Sequence, residues 1–243
     1  MSSTDLLQAE GLVKIYGGKK VVNQVDIVVH RREIVGLLGP NGAGKTTTFY
    51  MMVGLTHPDE GRVFLDGEDI TVDPMHMRAR KGISYLAQEP SIFRKLTVRQ
   101  NLLAILEILN IPPSERRSRL ENGLTELGIS HLARQKAMSL SGGERRRLEI
   151  SRALITGPRF MLLDEPFAGI DPLAINDIQQ IIRQLRDRGL GVIITDHNVR
   201  ETLSVCDKAY IISQGEIIVE GPPDKIISNE VARSVYLGKN FDM

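Results

Sequence analysis

Gly39, Pro40, Asn41, Gly42, Ala43, Gly44, Lys45 and Thr46 fit the pattern GxxxxGK[ST], and the chemistry that this spacing serves is the holding of phosphate groups. Three glycines let the backbone turn its amides inward. Those N-H groups, with the open N-terminus of a following helix, make an anion site. Lys45 can reach the β and γ phosphates of a nucleotide, and Thr46 can ligand magnesium. The context that the pattern demands is present: Glu33 to Leu38 reads as a buried strand, and Thr47 to Val53 continues without Gly or Pro, as a helix does. A glycine-rich turn with no ligand is the alternative.

A second group of reactive side chains stands where apolar runs end. Phe160-Met161-Leu162-Leu163 delivers Asp164 and Glu165, with Pro166 stopping the strand. In open α/β sheets ligands sit beyond the carboxyl ends of the strands, where Asp164 can hold magnesium and Glu165, pointing the other way, can address a water. Helix capping also accounts for two acids at a strand exit. Gly191 to Thr195 delivers Asp196, His197 and Asn198 in the same way, and His197 is equally readable as a structural histidine. Gln88 ends the run Gly82 to Ala87, where a lone glutamine is ordinary polar punctuation.

Leu140-Ser141-Gly142-Gly143-Glu144 opens a helix, with Ser141 and Glu144 spaced as a capping box. A capping box does not require two glycines, and Gly142 and Gly143 allow a second anion to approach the backbone. Arg145, Arg146 and Arg147 follow; the run is readable as a solvated face, and it is not assigned to ligand binding.

The elements that must carry these residues alternate between β and α. Leu12 to Tyr16 and Val21 to Val29 flank a Gly17-Gly18 hairpin in a small antiparallel layer. Tyr16 ends its run where an aromatic ring can cover an adenine, or simply pack on a strand. Gly61 to Gly67 is a further strand. From about residue 97 the texture becomes helical: Thr97 and Gln100 fit a capping box, Pro112-Pro113 separates two helices, and this insert is too short for a coiled-coil arm. Asp171-Pro172 opens a helix ended by Gly189. Lys208 to Ile212 and Glu216 to Glu220 form a last hairpin about Gln214-Gly215, followed by a short polar helical tail.

The bulk properties narrow the function. Thirty-one Lys and Arg nearly cancel 30 Asp and Glu, so no general basic field exists to hold nucleic acid. Cys206 is the only cysteine, which excludes an internal disulfide or thiolate cluster and reads as a small buried hydrophobe. Met1 to Ile15 lacks a secretory leader pattern, and no apolar run approaches the ~20 residues of a membrane span. Action at a membrane would require another chain to cross it.

Taken together, the phosphate loop, Gln88, Leu140 to Glu144, Asp164-Glu165, the Asp171 turn and His197 occur in an order and spacing that resembles the ABC-type ATPases over nearly the whole chain. The resemblance implies an α/β fold: a P-loop NTPase core of ABC ATPase type with an antiparallel β subdomain and an inserted α-helical subdomain. Its expected limits are 4-243, with core at 4-88 and 157-221, helical insert at 89-156 and tail at 222-243. Implied ligands are ATP and Mg2+. Tyr16 would stack on adenine, and Gly39, Asn41, Gly42, Ala43, Gly44, Lys45, Thr46 and Thr47 would hold the phosphates. Thr46, Asp164 and Gln88 would serve the metal, Glu165 and Gln88 the attacking water, and His197 the γ-phosphate. Ser141, Gly142 and Gly143 would serve the ATP of a second protomer, giving a homodimer with an ATP-sandwich interface.

Ser139 to Ala153, Leu163 to Pro172, Thr195 to Leu203 and Tyr236-Leu237-Gly238 look most like the lipopolysaccharide-export branch, with branched-chain amino-acid importers similar. That branch implies integral membrane partners, a place on the cytoplasmic face of the inner membrane and no direct contact with the transported substrate. A non-transport ABC protein acting on DNA or ribosomes is a third reading; a tandem cassette, long coiled coil or basic surface would mark it. Phe93 and Arg94, just beyond Gln88 and flanked by Ile92 and Leu96, read as an exposed apolar and basic patch for a helix of the membrane partner, with loop-core packing as the alternative for Phe93.

Overall fold

The computed structural model describes residues 5–238 and 241, without the side chains of residues 172 and 173. The expected limits at residues 4 and 243 lie outside the described residues. β1 (Leu6–Tyr16) and β2 (Lys19–His30) form the expected hairpin, with Gly17 and Gly18 both at positive φ in the turn. β3 (Ile34–Leu38) leads through the phosphate loop into α1 (Lys45–Val53). Then come β4 (Glu60–Leu65), β5 (Glu68–Asp69), α2 (Met75–Arg80) and β6 (Ile83–Leu86).

The helical stretch holds α3 (Val98–Ile108), α4 (Pro113–Glu126) and α5 (Gly142–Leu154). Thr97 with Gln100, and Ser141 with Glu144, make the two capping boxes that their spacing predicts. β7 (Phe160–Asp164), α6 (Pro172–Asp187), β8 (Gly191–Thr195) and α7 (Val199–Leu203) return to the core. β9 (Lys208–Ser213), β10 (Glu216–Gly221) and α8 (Pro223–Ser228) follow, and Glu230–Ala232 runs into a π turn at Arg233–Leu237.

Two sheets result. The antiparallel one has the order β2-β1-β4-β5, and the larger has the order β10-β9-β3-β8-β7-β6, parallel throughout except for the β9-β10 hairpin. Every residue of β3, β7 and β8 is buried, because the parallel sheet is covered on both faces. One core packs α1 and the antiparallel sheet against it, with Phe49, Met51 and Val63 among its residues. Another packs α6 on the opposite side through Ile178, Ile182 and Leu185, while α3, α4 and α5 close a separate core of their own.

Register places the chemistry. Leu86 pairs with Leu163 and Asp164 with Thr195, so β6, β7 and β8 release Gln88, Glu165 and His197 side by side at one edge. The loop after β3 opens on that same edge, since β3 runs parallel to β8.

Arg78, which its sequence neighbourhood does not single out, anchors the far end of α1. It is fully buried and donates to Met51 O, Met52 O, Thr71 O and Asp73 O, setting a guanidinium at the negative end of the helix. Burial lowers its pKa to about 10, so it stays charged at neutral pH. Cys206 is buried as expected, and desolvation pushes its thiol pKa up. We expect the native protein to resist a chromogenic disulfide reagent at pH 7.5 and to release one equivalent of chromophore in urea; fast stoichiometric labelling before unfolding would contradict this burial.

Candidate functional site

The phosphate loop is wedged between β2 and β9, and this requires its glycines. A Cβ at Gly39 would lie 2.0 Å from Ile212 O, and one at Gly44, where φ is 108°, would lie 2.6 Å from Val21 O. Asn41 and Gly42 are exposed and Ala43 is buried, while Thr46 is exposed and Thr47 half-buried in the first turn of α1. The Lys45 ammonium donates to Gly39 O at 2.7 Å and Pro40 O at 2.9 Å. Burial lowers its pKa, and the carboxylates of Glu165 and Asp164 oppose that shift. A cleft of about 610 Å3 opens between Lys19 and Lys20 of the hairpin and Asn41 and Gly42 of the loop.

The carboxylates differ in setting. Asp164 is 2% exposed, burial raises its pKa, and Tyr85 donates its hydroxyl to Oδ2 at 3.0 Å. Glu165 leaves the sheet with φ at 47°, a left-handed backbone that costs a non-glycine residue roughly 1–2 kcal/mol. Its Oε2 accepts from Gln88 Nε2 at 2.8 Å, and His197 Nδ1 stands 3.4 Å from the same oxygen. The structure therefore gathers Lys45, Gln88, Asp164, Glu165 and His197 at one edge. Polar punctuation does not describe Gln88, whose side chain addresses the exposed end of Glu165.

Elsewhere the expected residues stand apart. Tyr16 is 50% exposed at the end of β1, with Lys14 Nζ 5.5 Å from its ring centre. Ser141 is exposed, and its side-chain hydrogen bonds go to Glu144. A Cβ on Gly142 would lie 3.0 Å from Gly169 O, and one on Gly143 3.1 Å from the Ala174 side chain, so the paired glycines also let α5 approach the Asp171 turn.

Two residues hold the site in roles that the sequence alone does not assign. Asp196, fully buried, accepts from Phe167 N at 2.9 Å and Asn198 N at 2.8 Å, stapling the loops after β7 and β8. Within the arginine run, Arg146 does not belong to a solvated face. Arg146 is 6% exposed; it pairs with Glu149 at 2.9 Å and donates to Ala87 O, Asp164 O, Glu165 O and Pro166 O. Arg147 pairs with Asp177 of α6. The only available hint was charge density at helix positions whose neighbours Leu148 and Ile150 are apolar.

A glycine-rich phosphate loop between a parallel strand and a helix, with carboxylate, glutamine and histidine delivered by neighbouring strands, defines a P-loop ATPase. The pattern of the ABC transporter family matches residues 22–168, and the chain belongs to that family as an ATP-binding, ATP-hydrolysing protein. It is 56% identical to the lipopolysaccharide export system ATP-binding protein LptB of Haemophilus influenzae, over 98% of this chain and 99% of that one. Identity to the LptB protein of Escherichia coli strain K12 is 55%, over 97% and 98%. An ATP-binding cassette solved in its ADP conformation superposes with a TM-score of 0.87 at 31% identity, covering 97% of this chain and all of that one. A nucleotide-free cassette gives 0.86, also at 31%.

Proposed function

We propose that this chain is the ATPase motor of a lipopolysaccharide exporter, acting as a homodimer on the cytoplasmic face of the inner membrane beneath separate membrane subunits. The observation that carries this reading is the 56% identity to a lipopolysaccharide-export ATPase along essentially the full length of both chains. A division of labour with other chains accords with the described helices, none of which is long and apolar enough to cross a membrane.

In this reading Tyr16 stacks on adenine, and the amides from Gly39 to Thr47 surround the phosphates. Lys45 exchanges its two loop carbonyls for phosphate oxygens, which offset the cost of its burial. Glu165 Oε2 orients or deprotonates the attacking water, Gln88 sets that oxygen's direction, and His197 donates toward the γ-phosphate. The donor set fits magnesium: Thr46 and Asp164 offer hard oxygens. Among the described residues no group of three or more His, Cys, Asp or Glu could hold a metal by itself, so an ion here would need phosphate oxygens and water to complete its shell. Bound there, with Gln88 nearby, the ion would neutralise charge on the phosphates.

One chain offers only half a cage. Ser141, Gly142 and Gly143 would complete the cage around the partner protomer's γ-phosphate, so closure depends on ATP and hydrolysis on closure.

The helical segment 89-156 is the proposed link to the membrane subunits. Phe93 is 46% exposed and Arg94 exposed, whereas Ile92 is buried in the helical core and reaches this face only as the lining of a cavity. The exposed neighbour is instead Met138, beside a cavity of about 140 Å3 that also meets Arg94 and Arg145. Asn101, fully buried, accepts from Phe93 N at 2.8 Å and donates to Phe93 O at 3.1 Å, which holds that backbone, while one face of the ring lies over the Arg152 guanidinium at 4.7 Å and the rest is exposed.

Purification from detergent-solubilised membranes is expected to bring down lipopolysaccharide-export membrane subunits. Recovery of amino-acid permease subunits in their place would overturn the assignment. Phe93→Ala and Arg94→Asp should abolish that co-purification while ATP binding stays within about twofold of wild type, as surface changes of small energetic effect allow. Loss of the folded monomer would instead make Phe93 a packing residue.

A further inference from the structure

We infer that Tyr85 is a positioning residue for the magnesium site, its hydroxyl orienting the Asp164 carboxylate while its ring sets the distance between β7 and α1. This rests on the reading of Asp164 and Thr46 as metal ligands. Tyr85 lies on β6, next to β7, with its neighbour Ser84 in register with Met161 and Tyr85 itself with Leu162. Its hydroxyl reaches Asp164 Oδ2 at 3.0 Å and is the one side-chain donor to that carboxylate among the described residues. A buried carboxylate with a single fixed oxygen presents its other oxygen in one direction.

The same side chain also meets α1. Tyr50 packs edge-on against Tyr85, with ring centres 6.3 Å apart and planes at 89°. Tyr50 lies four residues after Thr46, and residues at that interval share a helix face. Tyr85 is thus braced between the helix that offers the Thr46 hydroxyl and the strand that offers the Asp164 carboxylate. Arg146 does not duplicate this role, because it grips the Asp164 backbone carbonyl and leaves the side chain free to turn. A phenol that only needed a partner for its own burial would make the same hydrogen bond, so the test must read the metal.

The full-length protein, loaded with ADP, is titrated with Mn2+ and followed by electron paramagnetic resonance, and nucleotide binding is measured separately in EDTA. Tyr85→Phe keeps the ring and removes the hydroxyl. It should weaken Mn2+ binding by about tenfold, as outer-shell changes at metal sites do, with ADP affinity in EDTA and the thermal midpoint near wild type. Tyr50→Ala, which keeps the hydroxyl and loosens the brace, should weaken Mn2+ binding by a smaller factor and serves if Tyr85→Phe does not fold. Asp164→Asn in the same titration separates the two ideas. If it weakens Mn2+ binding and neither tyrosine variant does, the role of Tyr85 is overturned; if Asp164→Asn has no effect, the metal assignment itself falls. Equal losses with and without metal in Tyr85→Phe would also overturn the inference.

Discussion

Glu165→Gln should lower ATP hydrolysis by about 10²- to 10⁴-fold, the range typical of a general base, while ATP binding and ATP-dependent dimerisation persist. The substitution preserves size and the hydrogen bond from Gln88, so the left-handed backbone at φ 47° is not further strained. What it removes is the anionic oxygen on which Gln88 and His197 converge. Steady-state turnover and light scattering or gel filtration with ATP check the two halves separately. Near-normal turnover would remove Glu165 from the mechanism, and loss of ATP-dependent dimerisation would give it a structural role.

Arg146→Ala should destabilise the protein by about 3–5 kcal/mol, the usual cost of leaving a buried charge without its partner. Here the abandoned charge is Glu149, which is 4% exposed, and four backbone carbonyls lose a donor with it. Arg146→Lys keeps the charge without the planar fork that spans those carbonyls. It should fold, yet turn over ATP at about one hundredth of the normal rate, since displacement of catalytic groups by an ångström has that effect. Those carbonyls belong to Ala87 and to Asp164, Glu165 and Pro166, beside the side chains that face the water. Denaturant unfolding and turnover of the two variants test this; wild-type stability and rate in both would show the clamp to be incidental. Arg147→Ala, which breaks only the partly exposed pair with Asp177, is the control.

Local rules reach far in this chain. The hairpin at Gly17-Gly18, the capping boxes at Thr97 and Ser141, and the buried runs ending at Leu38, Leu163 and Thr195 all stand where spacing and composition put them. Each depends on contacts within a few residues or on an unbroken apolar run. Gln88, Arg146 and Tyr85 were not legible in that way. Gln88 meets Glu165 across 77 positions and Tyr85 meets Asp164 across 79, and their partners follow from strand order, which local patterns do not encode. Arg146 misled for a related reason: a guanidinium on a basic helix turn is ordinarily solvated, and only the approach of the two loops after β6 and β7 gives it enough carbonyls to be buried.

The residue types alone therefore determined the kind of chemistry: a phosphate loop with its lysine and threonine, acids at a strand exit, and a resemblance strong enough to imply ATP hydrolysis. Tertiary structure decided which groups act together. The order β3-β8-β7-β6 brings four separated strand ends onto one edge, where Glu165 gains Gln88 and His197, Asp164 gains Tyr85, and Arg146 locks the loops behind them. Side-chain chemistry is a property of the residue, whereas position and desolvation belong to the packed fold.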